Sequence, residues 1–296
     1  MGNIFRFTQP LRFAHCDLTG IVHLSHFFDM INSTVEDWFE HGLGLPFYAF
    51  HLQHSYGNPI VSTSCDFLRP CRYGEKMTIE LAVANLGRSS IELRIAGKVG
   101  AEERFLARHT TAMISLDTFR SIAIPDDLRK KMGQYAIDPG GGLAAPRIPG
   151  ASGRPPSTAF HARQPIRYSH CDSSGIVYFP RFFDLFNNVL EDWFAQELGC
   201  PWSGDFMGPR NLRIPTVGIG CQFARGCHLG DMLEFELWLT KIGRSSMQVA
   251  LSGSVGGEEC MRVAWTLCVV SSKMFKSVPI PDDLRARMEP FLIRDA

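Results

Sequence analysis

Two short stretches of the chain set an aspartate between a histidine and a glycine. They read His15-Cys16-Asp17-Leu18-Thr19-Gly20-Ile21-Val22 and His170-Cys171-Asp172-Ser173-Ser174-Gly175-Ile176-Val177. An aspartate three residues before a glycine is by itself an ordinary turn, its carboxylate accepting from nearby main-chain amides. Here each aspartate also stands about seven residues before the expected start of a long helix, at Leu24 or Phe179. A helix N-terminus offers unpaired N–H groups and the positive end of a dipole. A carboxylate directed at the same place supplies a nucleophile or general base facing an oxyanion site, which is the arrangement of acyl transfer.

The neighbours of these aspartates carry competing readings. His15 and His170 lie two positions before the aspartate, on its side of an extended chain. They either tune the carboxylate and share its proton, or simply hydrogen-bond the loop. Cys16 and Cys171 alternate away from it and have no paired histidine to make a thiol nucleophile. Asp29, Asn32 and Glu36 form a stripe at i, i+3 and i+7 beside an apolar helix face, and Asp184, Asn187 and Glu191 repeat it. Such a stripe is a polar boundary or a second source of carboxylates. A metal set of His15, Asp17, His23 and His26 is disfavoured, because Tyr178 and Arg181 stand where the second stretch would need histidines. Gly87-Arg88-Ser89-Ser90 and Gly243-Arg244-Ser245-Ser246 suit either a phosphate contact or a plain hairpin turn.

The elements that must position these residues occur twice. Residues 15–46 and 170–201 align without a gap at an offset of 155, with seventeen of 32 positions identical. The Gly-Arg-Ser-Ser runs and the Ile124–Arg129 and Ile280–Arg285 hexapeptides match at an offset of 156, so one residue is inserted between the blocks. This is a tandem duplication of a unit of about 135 residues rather than a solenoid of short repeats. Between the copies, residues 138–156 are dominated by Gly and Pro and read as a linker, with units at 1–137 and 157–296. In each unit Leu24, Phe27, Phe28, Ile31, Val35, Trp38 and Phe39, or Phe179, Phe182, Phe183, Phe186, Leu190, Trp193 and Phe194, recur at helical spacing, with Gly44 or Gly199 as the stop. Met77, Ile79, Leu81 and Val83, then Ile91, Leu93 and Ile95, and in the second copy Leu233, Phe235, Leu237 and Leu239, alternate as strands with one buried face. A strand, a loop, a long helix, about four antiparallel strands and a short helical tail from Pro125 to Met132 make an α+β unit, expected twice as a covalent pseudo-dimer.

Composition narrows the function. The 296 residues carry 30 basic and 30 acidic side chains, a balance that disfavours nucleic acid as partner. No apolar run reaches the ~18 residues of a membrane span, and the amino-terminal residues lack the apolar core of a secretory signal. Nine scattered cysteines without CxxC pairs read as reduced thiols, so a cytoplasmic protein is expected.

Both copies resemble the hotdog-fold acyl-CoA thioesterases of the 4-hydroxybenzoyl-CoA thioesterase family, here tandem duplicated as a double hotdog. The resemblance rests on Cys171-Asp172-Ser173-Ser174-Gly175-Ile176-Val177-Tyr178-Phe179-Pro180, the aromatic helix to Phe194, Gly199, Pro201, Phe223, Gly230 and Gly243 to Ser246. It implies two hotdog units, each a long helix wrapped by a curved antiparallel sheet, with active sites where two units meet. It implies that Asp172 and Asp17 are catalytic, attacking the thioester carbonyl or activating water, and that the backbone amides of Phe179 and Leu24 polarise that carbonyl. Arg244, Ser245, Ser246, Arg88, Ser89 and Ser90 match a region that contacts the phosphates of coenzyme A. Related thioesterases of a second type use a helix carboxylate, which makes Glu191 and Glu36, with Asn187 and Asn32, secondary candidates beside His170 and His15. The first copy departs from the pattern, with Ser25 for the proline and Leu24 for the aromatic, so its acyl pocket is expected to differ. The implied function is hydrolysis of an acyl-CoA, with an aromatic or short to medium acyl group, to the free acid and CoA. The implied protein needs no cofactor and no metal, coenzyme A entering as part of a small-molecule substrate, touches neither nucleic acid nor membrane, and self-associates further. The alternatives are a non-catalytic acyl-thioester-binding protein and an acyl-thioester hydratase, the latter lacking its Asp-x-x-x-x-His motif here.

Overall fold

The computed structural model describes residues 2–138, 143 and 154–293. Most of the expected linker, residues 139–142 and 144–153, lies outside the described residues. The chain divides into two compact units, Met1–Arg147 and Ile148–Ala296.

In the first unit β1 (Phe5–Pro10) leads through one tight turn at Phe13–His15 to α1 (Leu24–Asp37). There follow β2 (Tyr56–Gly57), β3 (Ile60–Phe67), β4 (Lys76–Leu86), β5 (Ser90–Val99), β6 (Glu102–Ala112), β7 (Ile114–Ser115) and α2 (Asp126–Gly133). Five strands form one antiparallel sheet in the order β1-β4-β5-β6-β3, while β2 and β7 pair separately. The period-two pattern decides which face the sheet buries: Met77, Ile79, Leu81 and Val83 are at most 1% exposed. The period-3.6 pattern of α1 supplies the other half of the core. Phe27 meets Phe67 of β3 and Phe105 of β6 at ring-centroid distances of 5.0 and 5.7 Å, and Phe28 meets His109 of β6 at 6.1 Å. Each such aromatic ring, removed from water, contributes about 1.5–3 kcal/mol.

Curvature has local causes. The β4–β5 ladder skips a residue between Val83 and Asn85, and the β3–β6 ladder between Ile60 and Ser62; such bulges bend and twist a strand. Gly97 of β5 lies against the Phe105 ring, where a Cβ would come within 2.1 Å of it. The helix ends as its sequence requires. One wide turn, Trp38–Gly42, closes with the Leu43 amide donating to the Trp38 carbonyl at 2.9 Å. Gly44 then takes a φ of +61°, a conformation that costs other residues more.

The second unit repeats this plan with β8 (Phe160–Pro165), α3 (Arg181–Gln196), β9 (Leu212–Arg213), β10 (Thr216–Phe223), β11 (Met232–Ile242), β12 (Ser246–Val255), β13 (Glu258–Cys268), β14 (Val270–Ser271) and α4 (Asp282–Met288). Its sheet runs β8-β11-β12-β13-β10, the β11–β12 ladder bulges between Leu239 and Lys241, and Gly199 has a φ of +53°. Each unit is thus a long helix against a curved antiparallel sheet, an α+β hotdog. One boundary differs from the sequence expectation. α3 begins at Arg181, not Phe179, because the Arg181 amide donates to Tyr178 and the Phe182 amide to Phe179, closing tighter turns ahead of the helix. Among the described residues no helix is long and apolar enough to cross a membrane.

The strand register fixes where the loops lie. Pro10 at the end of β1 faces Lys76 at the start of β4, so the Asp17 loop sits at that end of the sheet. The Val22 amide donates to Cys71 and the Gly74 amide to Leu11, lacing the loop to the β3–β4 connection. The β4–β5 turn at Gly87 lies at the far end of β4, eleven residues and about 35 Å away at ~3.3 Å per residue.

Candidate active site

Asp17 and Asp172 occupy the same turn. The amides of Asp17 and Gly20 bond to Ile21 and Asp17 carbonyls at 3.0 Å, and those of Asp172 and Gly175 bond to Ile176 and Asp172 carbonyls at 3.0 and 3.1 Å. Gly20 and Gly175 have φ of +74° and +79°, which explains the glycine three residues after the aspartate. Asp17 Oδ1 accepts from the Thr19 amide at 2.7 Å and from its hydroxyl at 2.5 Å. Asp172 Oδ1 accepts from the Ser174 amide at 2.8 Å. The turn therefore orients each carboxylate through a bond to Oδ1, and both side chains are exposed. Main-chain bonds from His23 to His15 and from Tyr178 to His170 tie each turn to the start of its helix. Leu24 is the first helical residue, where no intrahelical acceptor exists for an amide.

The histidines before the aspartates are held by the loop. The amides of Arg12 and Arg167 each donate to the Nδ1 of His15 and His170 at 3.1 Å. A neutral ring accepting at Nδ1 carries its proton on Nε2. Burial lowers the pKa of His15, with His26 adding to the effect and Asp29 opposing it. Burial likewise lowers that of His170, with Arg167 adding and Asp184 opposing. Burial also pushes the Cys16 and Cys171 thiols up, so neither is poised as a thiolate.

The copies diverge beside these loops. In the first, the His15 and His26 rings lie 5.5 Å apart and His26 Nδ1 is 3.1 Å from Asp29 Oδ2. In the second, Arg181 pairs with Asp184 at 3.2 Å. Among the described residues no three His, Cys, Asp or Glu side chains converge as a ligand set.

The helix stripe is a separate place. Asn32 Nδ2 donates to Glu36 Oε1 at 2.6 Å, and Asn187 Nδ2 to Glu191 Oε1 at 2.8 Å. Desolvation raises both carboxyls, and the adjacent Asp37 or Asp192 adds to it, against the asparagine bond. Glu36 lies twelve helical positions from Leu24, about 18 Å along the axis at 1.5 Å per residue, so one unit does not bring Asp17 and Glu36 together.

Nor does one unit bring the aspartate to its own Gly-Arg-Ser-Ser turn, which occupies the far end of β4. That turn is a hairpin whose main chain is fixed from outside. Arg129 of α2 donates to the carbonyls of Gly87 at 2.6 Å and Arg88 at 3.1 Å, and Arg285 of α4 donates to those of Gly243 and Arg244 at 2.5 and 3.4 Å. Ser89 and Ser245 accept from Met113 and Val269, and Arg88 and Arg244 from Ile124 and Ile280, through their carbonyls. The guanidinium groups of Arg88 and Arg244 are exposed, and Ser90 and Ser246 lead into β5 and β12.

A family model for the thioesterase-like superfamily matches residues 11–132 and again 166–288. The chain belongs to that superfamily. Both matches contain an aspartate turn, a long helix and the Gly-Arg-Ser-Ser hairpin. A 1,4-dihydroxy-2-naphthoyl-CoA hydrolase of Synechococcus elongatus is 29% identical over 122 residues, 40% of this chain and 88% of the relative. The enzyme of that name from Acaryochloris marina is 25% identical over 112 residues, 38% of this chain and 81% of the relative. Among solved structures, the 12:0-ACP thioesterase of Umbellularia californica shares the fold over 90% of this chain and 94% of its own, with a TM-score of 0.72 and 13% identity.

Three groups escaped the sequence reading. Arg129 and Arg285 sit in a repeated hexapeptide, and their identity in both copies was a usable signal. Phe13 and Tyr73, exposed beside Asp17, carried none beyond their type. His109, buried on β6, hides among apolar strand residues, and only its replacement by Trp265 in the second copy distinguishes it.

Proposed function

We propose that the chain hydrolyses an acyl-CoA to the free acid and coenzyme A. The observation that carries this is the duplicated turn ahead of each long helix, where an exposed carboxylate is oriented by an amide of its own loop. Asp172 and Asp17 act either as the nucleophile or as the base that takes a proton from water. In the second route the water oxygen bonds to the thioester carbon, the carbon–sulfur bond breaks, and the departing sulfur takes up the proton. The carbonyl oxygen, negative in the transition state, is received by the amide of Leu24 at the start of α1 and by that of Phe179, two residues ahead of α3. Loss of a single such donor costs about 10²–10³ in rate. The relatives named for a naphthoyl-CoA support an aromatic acyl group.

Thiol release from benzoyl-, 1,4-dihydroxy-2-naphthoyl-, hexanoyl- and lauroyl-CoA tests the reading. Hydrolysis of at least one ester, fastest with an aromatic acyl group and reduced in Asp172→Asn, supports it. Binding of these esters with no thiol released from any of them leaves a binding protein and removes the hydrolase.

A further inference from the structure

The end of the first unit that carries Asp17 also presents two exposed rings and two exposed cations. Phe13 is 80% exposed and Tyr73 56%, yet their rings meet edge to face at 5.7 Å. Rings that pack on each other while open to water form a preformed apolar edge rather than part of a core. The main chain holds them there: Leu11 donates to Glu75, Gly74 donates to Leu11, and Ile21 bridges Arg72. Arg12 and Arg72 flank the rings and are exposed, and among the described residues neither guanidinium has a carboxylate partner. The nearest acid in sequence, Glu75, is already engaged, by the Arg72 amide at 2.7 Å and by Arg104 at 2.9 Å. Lys76 adds a third exposed cation, and Asp17 is the exposed acid of the loop.

We propose that this patch, rather than the Gly-Arg-Ser-Ser hairpin at the far end of β4 that the resemblance implied, binds the adenine nucleotide of coenzyme A in the first unit, the rings stacking on the base and Arg12 and Arg72 holding its phosphates. This rests on the acyl-CoA reading above. Planar bases stack on exposed aromatic rings, and guanidinium forks match phosphate oxygens. Phe13 lies four residues from Asp17, a span of at most about 14 Å at ~3.3–3.6 Å per residue. The pantetheine arm bridges that interval between phosphates and thioester. The second copy is the weaker version. Arg167 and Tyr168 persist, but Leu229 replaces Tyr73, Met232 replaces Lys76, and His228 replaces Arg72 and lies 3.8 Å from Asp231. The first copy is therefore the site that prefers nucleotide-bearing thioesters.

Calorimetric binding of free coenzyme A, dephospho-CoA and pantetheine to the full chain tests this without any turnover. The expected wild-type order is coenzyme A, then dephospho-CoA, then pantetheine. In R12A/R72A the ratio of coenzyme A to pantetheine affinity falls at least tenfold. In Phe13→Ala coenzyme A and dephospho-CoA weaken together, about fivefold or more. All three side chains are exposed, so the variants keep the wild-type melting temperature, and R12K/R72K restores part of the ratio. Coenzyme A that binds no better than pantetheine, that is not bound at all, or that binds the variants as it binds the wild type overturns the proposal. Esters cleaved equally well with and without the nucleotide would overturn it while leaving the hydrolase reading intact. The predicted binding order in a chain that cleaves no thioester would do the reverse.

Discussion

At the level of single residues, the environment of each carboxyl separates the candidates. Asp17 and Asp172 are exposed and held by turn amides, which aim each carboxylate while leaving it open to solvent. Glu36 is half-buried against Asn32, and desolvation raises its pKa, so its charge is a cost to the fold. A group whose folded pKa lies above its unfolded value destabilises where it is ionised, here at neutral pH, and that cost disappears on protonation. Glu36→Gln therefore raises the melting temperature at pH 7, and the gain vanishes near pH 4; a lower melting temperature at pH 7 would contradict this assignment. His109 has the opposite pH signature. Burial pulls its pKa down to about 3, so between pH 6.5 and 3 the unfolded chain binds a proton that the folded chain refuses. Stability falls as pH drops through that window, by up to about 1.4 kcal/mol per pH unit. Urea titrations from pH 7 to 4 read this slope, and His109→Gln flattens it; equal slopes in the two proteins would exclude His109 as the source. The aspartates were legible in sequence because turn chemistry ties Asp to Gly at a fixed spacing. His109 was not, because burial is a property of the sheet face and its type gave no warning.

At the level of elements, periodicity carried most of the information. The alternation in β4 and β11 and the aromatic stripe of α1 and α3 each specify a buried face, and those residues are buried except Phe179, which precedes α3 and is only partly covered. Boundaries were harder. The start of α3 moved from Phe179 to Arg181 because tight turns precede it, a matter of hydrogen bonds that hydropathy does not encode. The purpose of the repeated hexapeptide also needed three dimensions. Its arginine reaches 42 residues back to the β4–β5 turn and caps carbonyls there. Hydrogen bonds from a charged group contribute about 1.5–3 kcal/mol, so Arg129→Ala is expected to destabilise the first unit by about that much. Arg129→Lys, lacking the fork, recovers less than half. Denaturant unfolding checks both, and an unchanged midpoint in Arg129→Ala would show that the turn holds itself.

At the level of the whole chain, the duplication is the organising fact, and it was fully readable from an offset of 155 residues. What the repeat could not disclose is that, within a unit, the aspartate and the Gly-Arg-Ser-Ser turn stand at opposite ends of one long strand. Copying a unit also frees its two versions to drift. The first carries His15, His26 and Asp29 where the second carries His170, Arg181 and Asp184, and an aromatic patch where the second has Leu229. Single-site variants should therefore not be equivalent: Asp17→Asn and Asp172→Asn leave different residual rates on one ester, and their ratio changes from an aromatic to an aliphatic acyl group. Identical residual rates on every ester would mean that the two copies work alike.

On the proposed function, the turn aspartates perform the chemistry. The decisive measurement is the turnover number of the D17N/D172N double variant on its fastest acyl-CoA, with its melting temperature recorded alongside. The expected result is a loss of about 10²–10⁴, the range for removing a positioned acid–base group, in a protein that melts with the wild type. A folded double variant that turns over within a factor of two of the wild type would contradict it and move the search to Glu36 and Glu191.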